Sequence, residues 1–187
     1  MKPLKLLIFS LTFVVCISAK QENNNQVIDL KSRLNNKVQR LSSLKSNYIL
    51  KNIKLIKIKN SILIGQLENL SEFEFTPKEI KSLNIKKIKN SVYETRQCFV
   101  KGTKTIISKG DTYPRATIVE YIFNTEEDAL KTFEQLNELR KDKSIWIHVS
   151  KSPNSMFLED NRIYYILSGG WYMSGIYKEI ERKMKLQ

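Results

Sequence analysis

The chain has 187 residues, with 32 Lys and Arg against 19 Asp and Glu, a formal charge of +13, two cysteines and one histidine. One histidine and so few cysteines cannot furnish an ordinary zinc site, which takes four protein ligands or three plus water, and no metal or other cofactor is expected. A disulfide framework is excluded too once the start of the chain is understood, so the fold must rest on its apolar core.

Met1 to Lys5 is a short basic start, and Leu6 to Ile17 (LLIFSLTFVVCI) is an uncharged, mostly apolar run that ends in the small pair Ser18-Ala19. This is the layout of a cleavable secretory signal. The run is shorter than the roughly 20 residues that a spanning helix needs, and no second run of that length follows, so no transmembrane segment is expected after signal removal. A lipid anchor on Cys16 is the rival reading, but Phe13-Val14-Val15 do not resemble the Leu-x-small that precedes a lipidated cysteine. Residues 1–19 are therefore read as signal peptide and the mature chain as starting at Lys20, exported to the periplasm or the medium. Cys98 is then its one cysteine.

Without Lys2 and Lys5 there remain 30 basic residues against 19 acids, a formal +11. Lys20 to Asn60 holds ten of those bases and two acids, whereas Ser91 to Gln187 is nearly balanced. The basic character thus belongs to the N-terminal third, which would attract anionic surfaces through a salt-sensitive field. A coding bias toward Lys, Asn and Ile explains the same excess without any ligand.

Residues 20–26 form a polar lead-in with little to bury. From Val27 the apolar positions Leu30, Leu34, Val38, Leu41, Leu44 and Tyr48 recur at steps of three and four, predicting an amphipathic helix with Lys31, Arg33, Lys37, Arg40 and Lys45 on its other faces. Ile53 to Ile64 shortens the apolar step and interleaves Lys54, Lys57 and Lys59, predicting β-structure with a turn near Asn60-Ser61. Lysines also protect an open sheet edge, so these need no ligand. Thr76-Pro77-Lys78-Glu79 reads as a capping box opening a short helix. Residues 27–90 are expected to pack on a main domain of residues 91–187.

Val92 to Val100 and Thr103 to Ser108 read as strands separated by Gly102, and Ala116 to Phe123 (ATIVEYIF) as a strand of high β-propensity. Thr125 with Glu126, Glu127 and Asp128 offers a helix cap, and the helix to Arg140 places Leu130, Phe133, Leu136 and Leu139 on one stripe. Ile145, Ile147 and Val149 alternate with Trp146 and His148 as a strand. Met156 to Leu158 and Ile163 to Leu167 form a hairpin about Asp160-Asn161, and a last helix runs from Trp171 to Lys185 with Ile176, Ile180 and Met184 at helical spacing. This order predicts an α+β fold: an antiparallel sheet with two helices on one face, preceded by the amphipathic basic helix.

Cys98, His148 and Asn154 are the only ingredients for a thiol nucleophile with its base, and Cys98 sits in a strand where a buried inert thiol is commonplace. The adjacent carboxylates Glu126, Glu127, Asp128 and Glu159, Asp160 sit on a helix cap and a hairpin tip, where solvation explains them. Gly169-Gly170 before the last helix, among Tyr164, Tyr165, Trp171 and Tyr172, is the one aromatic cluster that suggests a binding patch. No catalytic residue is assigned. The expected function is that of a secreted or periplasmic, non-enzymatic binding protein whose partner is another protein, as in an inhibitor, an immunity-type protein or an envelope-associated factor. Lys31, Lys37, Lys45, Lys54, Trp171 and Tyr172 are the residues expected to meet that partner. Binding of an anionic polymer or membrane surface by the basic third is the second reading, and a secreted enzyme with an unrecognised site the third. No specific nucleic-acid motif is present.

Overall fold

The computed structural model describes Leu41 and residues 43–106, 110–170, 173 and 175–185, which apart from Leu41 fall in the compact unit Ser43–Gln187. The signal, the lead-in and nearly all of the basic helix lie outside the described residues. Among the described residues five strands form one antiparallel sheet: β1 (Tyr48–Leu55), β2 (Val92–Gly102), β3 (Arg115–Phe123), β4 (Asn154–Glu159) and β5 (Arg162–Ser168). Their order across the sheet is β1-β2-β3-β5-β4. The helices are α1 (Ile64–Ser71), α2 (Lys78–Lys81), α3 (Ile85–Ser91), α4 (Glu126–Lys141), α5 (Lys143–Val149) and α6 (Ile176–Lys185). The α+β, antiparallel character read from the sequence is the observed one, and β1, from the segment before Ser91, is part of the same sheet.

The centre of the sheet is buried on both faces, and β3 shows why. Alternate residues Val119, Tyr121 and Phe123 join Ile163 and Tyr165 of β5 and Met156 of β4 in a core with Leu67, Ile88, Leu136, Leu139, Trp146 and Val149 from helices α1, α3, α4 and α5. The Tyr121 hydroxyl accepts from the amides of Leu63 and Ile64 at 3.2 and 3.3 Å, fixing the start of α1 to that face. Ile118, Glu120 and Ile122 point the other way and are equally buried. There α6 crosses β4 and β5, with the Lys185 ammonium 5.2 Å from the ring centre of Phe157, which stacks on Tyr164 at 4.8 Å. Helices α4 and α6 therefore cover opposite faces, which corrects the expectation that both share one. The apolar run in β3 needs cover on two sides, and the buried Ile180 and Met184 supply the second, each contributing about 1.5–3 kcal/mol.

Several local readings hold. Thr125 caps α4 by accepting from the Asp128 amide at 3.1 Å, and the acids of its first turn meet the positive end of the helix dipole. The β4–β5 hairpin turns through Asp160, whose φ of 48° is the left-handed conformation that a tight turn requires. Others are corrected. Ile145 to Val149 lie in helix α5, because Asp142 accepts from the Ser144 amide at 2.8 Å and opens a turn that buries Trp146 and Val149 three residues apart. The hydrogen bonds from Ser144 hold the Asp142 carboxyl below the usual carboxylate range. Thr76 does not cap α2; its hydroxyl donates instead to the Leu70 carbonyl at 2.6 Å.

Ile53 to Ile64 is β-structure only to Leu55, after which a 3-10 turn (Ile58–Asn60) leads to α1. Gly65 is obligatory there, since a Cβ would lie 2.4 Å from the Lys59 carbonyl oxygen. Thr103 to Ile106, the described part of the strand expected after Gly102, is not extended ladder; β2 continues unbroken to Gly102, whose amide donates to the Pro114 carbonyl at 2.8 Å. Tyr48, placed at the end of the basic helix by its spacing, opens β1.

Within the second face lies a charged group. Glu120, on the central strand, accepts from the Arg162 guanidinium and from the Tyr164 hydroxyl at 3.0 Å. Arg96, directly opposite on β2, approaches the other carboxylate oxygen at 3.9 Å.

Candidate partner-binding surface

Among the described residues, the helices on the Tyr121 side leave one end of the sheet uncovered. Register places Ile49 opposite Lys101 and Lys51 opposite Phe99, then Phe99 opposite Thr117 and Lys101 opposite Arg115. Residues directly opposite share a face, so these six side chains form one shelf. Lys51, Phe99, Lys101, Arg115, Thr117 and Gly169 line a cleft of about 410 Å³ on it, and none of the described residues that line it is acidic. Phe99 is 43% and Ile49 53% exposed. Two cations lie over aromatic rings: the Lys101 ammonium lies 4.1 Å from the ring centre of Tyr113, and that of Lys54, at the edge of the shelf, 5.9 Å from Phe99. The result is an apolar centre with a cationic rim, suited to receive carboxylates over a hydrophobic contact.

Among the residues singled out from the sequence, Lys54 lies in β1 beside Phe99, at the edge of this shelf. Lys45 is exposed on the 3-10 turn Ser43–Ser46 that precedes β1. Lys31, Lys37, Trp171 and Tyr172 lie outside the described residues. Tyr164 and Tyr165 do point to opposite faces, but both are buried and neither faces out. The Gly169 amide is committed to the Arg115 carbonyl at 2.8 Å, so it is not a free donor for an anion. Lys51, Phe99, Lys101, Tyr113 and Arg115 went unread as a site. Phe99 and Lys101 do share a parity in β2, yet only the strand register brings Lys51 and Arg115 beside them.

Cys98 and His148 are not brought together. Cys98 is buried on the side of β2 that shares its face with Glu120, 3.9 Å from the Lys51 carbonyl and 3.7 Å from that of Phe99. His148 is exposed on α5, which packs on the opposite face. Burial pushes the thiol up to about 11 from its ordinary 9.0. At pH 8 a shift of that size lowers the thiolate fraction about a hundredfold. Labelling of the native protein with dithionitrobenzoate is therefore expected to be at least about 100-fold slower than that of the urea-unfolded chain. Equal rates would mean that a base activates Cys98 after all.

No group of three or more His, Cys, Asp or Glu among the described residues is arranged to hold a metal ion. Nor is any described helix long and apolar enough to cross a membrane. Comparison with protein-family models, with curated proteins and with solved structures gives no match.

Proposed function

We propose that this chain is an exported, non-enzymatic binding protein, and that its partner is another protein engaged on the uncovered end of the sheet. The observation that carries this reading is the shelf of Lys51, Phe99, Lys101 and Arg115, where exposed apolar surface lies among cations with no acid among the described residues that line the cleft. A polymer held by charge alone would have no use for Phe99 and Ile49, whereas a packed protein interface draws its energy from such centres. An inhibitor, an immunity-type protein or an envelope-associated factor falls within this reading.

The test is retention of partners from the compartment to which the protein is exported, on immobilised wild type and on Phe99→Ala, at about 0.15 M and 0.5 M NaCl. A protein that stays bound to the wild type at the higher salt and is weakened at least about 30-fold by Phe99→Ala, roughly 2 kcal/mol, is the expected result. Binding that vanishes at the higher salt and ignores Phe99 would instead favour an anionic polymer or membrane surface, held by the basic N-terminal third.

A further inference from the structure

Strand β1 is an edge of the sheet, with no neighbour on its outer side among the described residues. Edge strands are ordinarily shielded by being short, by proline, by charge or by a bulge, because their unpaired amides and carbonyls template another strand. Here the strand runs for eight residues without proline (YILKNIKL). Its shielding consists of two lysines and a register shift between Lys51 and Lys54. Beside them Ile49, Ile53 and Leu55 are 53%, 41% and 67% exposed, an apolar display unusual on an edge with nothing to meet.

The direction of the free backbone groups follows from the ladder. The Thr103 amide donates to the Asn47 carbonyl at 3.0 Å, so Asn47, Ile49 and Lys51 turn their peptide groups toward β2. Those of Tyr48 and Leu50 turn outward. Beyond the bulge the Ile56 amide donates to the Thr95 carbonyl at 3.0 Å, so Ile53 and Leu55 present theirs to the open side. The side chains sort by face as well. Ile49, Lys51 and Lys54 lie on the face of the cationic shelf, paired with Lys101, Phe99 and Gln97. Leu50 and Leu55, paired with Val100 and Arg96, lie on the other, as does Ile53 by alternation.

We infer that the partner contributes an extended segment alternating acidic and apolar residues, which adds to the sheet as a further strand beside β1. Its carboxylates lie over Lys51, Lys54 and the shelf, and its apolar side chains over Leu50, Ile53 and Leu55. Main-chain bonds to an edge give such complexes their affinity, and alternate side chains give them their selectivity. The inference rests on the reading of the shelf as a protein-binding surface and specifies how the partner is held. A second copy of this chain is a poor occupant. Its own Glu72-Phe73-Glu74-Phe75 has the alternating composition, but that segment is turned, the Phe73 amide donating to the Leu70 carbonyl and the Thr76 amide to that of Phe73.

The probe is a fluorescein-labelled peptide, acetyl-(Glu-Val)3-amide, titrated into the full chain and followed by anisotropy. Its controls are the scrambled peptide with three Glu followed by three Val, and two forms N-methylated at alternate residues, one for each edge. The expected result is saturable binding, weakened at least about tenfold by scrambling and by N-methylation of one edge only. Hydrogen exchange of the Leu50 amide should slow at least about tenfold at saturation, while that of Ile49, already committed to β2, should not change. Lys51→Gln should weaken the peptide about fivefold at low salt.

Peptide that binds equally well in both N-methylated forms, or leaves Leu50 exchange unchanged, would overturn strand addition while leaving the protein-binding reading intact. Equal binding of the alternating and scrambled peptides, or none at millimolar concentration, would overturn it as well. The protein-binding reading itself fails on a different observation, a salt-labile retention that ignores Phe99.

Discussion

Glu120→Ala is expected to destabilise the protein by about 3–5 kcal/mol, read as a lower urea midpoint with little change in slope. The Glu120 and Arg162 side chains are 7% and 1% exposed, so the loss of the carboxylate takes an ion-pair partner from a guanidinium buried inside the protein and deprives the Tyr164 hydroxyl of its acceptor. The cost comes from the buried positive charge left less compensated more than from the bond, because desolvating two ions offsets most of what their attraction returns. Replacing both members by apolar residues, as in Glu120→Leu with Arg162→Met, should therefore recover most of the stability lost by the single change. A single-variant cost below about 1 kcal/mol would mean that water reaches the pair.

Alkaline unfolding is the second large effect expected. Burial pushes Tyr121 up to about 12, and burial with the nearby Glu179 carboxylate raises Tyr48 to about 12 as well. Tyr165 is raised further by burial, as is Tyr164 by burial and the charge of Glu120. Each of these groups holds its proton more tightly in the folded state, so the folded chain carries more protons than the unfolded chain above about pH 10. Stability is then fully present below the unfolded value and is lost as pH rises toward the folded one. Cys98 begins the decline between about pH 9 and 11, and the tyrosines continue it from about 10 to 12. For Tyr121 alone a rise from 10.0 to about 12 corresponds to about 3 kcal/mol. The urea midpoint should be level from pH 6 to 8.5 and then fall steeply, with tyrosinate absorbance growing in together with unfolding. Tyrosinate that forms ahead of unfolding would show the rings to be accessible in the folded state.

How much of this was legible in the sequence depends on which elements carry their signal locally. Helix α4 announces itself by Thr125 and three acids, and the β4–β5 hairpin by Asp160-Asn161 between apolar runs; both are short-range chemistry. Helix α5 was misread because Ile145, Ile147 and Val149 satisfy a period of two as well as they satisfy one turn and a half of helix. The choice fell to the Asp142 cap and to Trp146, which fits the core three residues before Val149. The face taken by α6 was legible in principle, since β3 is apolar at consecutive positions around Glu120. The candidate site was not, except for Lys54. Its members come from β1, β2 and β3, and nothing in one strand's own sequence states which residue of the next lies opposite.

The strand order has a kinetic corollary. β4 and β5 meet across a two-residue turn, whereas β5 reaches β3 only after α4 and α5 have been laid down between them. Closing that central seam costs far more chain entropy than closing the hairpin, and a high share of such distant pairings places a protein among the slower folders, in milliseconds to seconds. Glu120 and Arg162 sit on either side of the seam, so their desolvation belongs to the step that joins the two halves. Until that step is complete the interior edges of β3 and β5 are unpaired, open to solvent and to other chains.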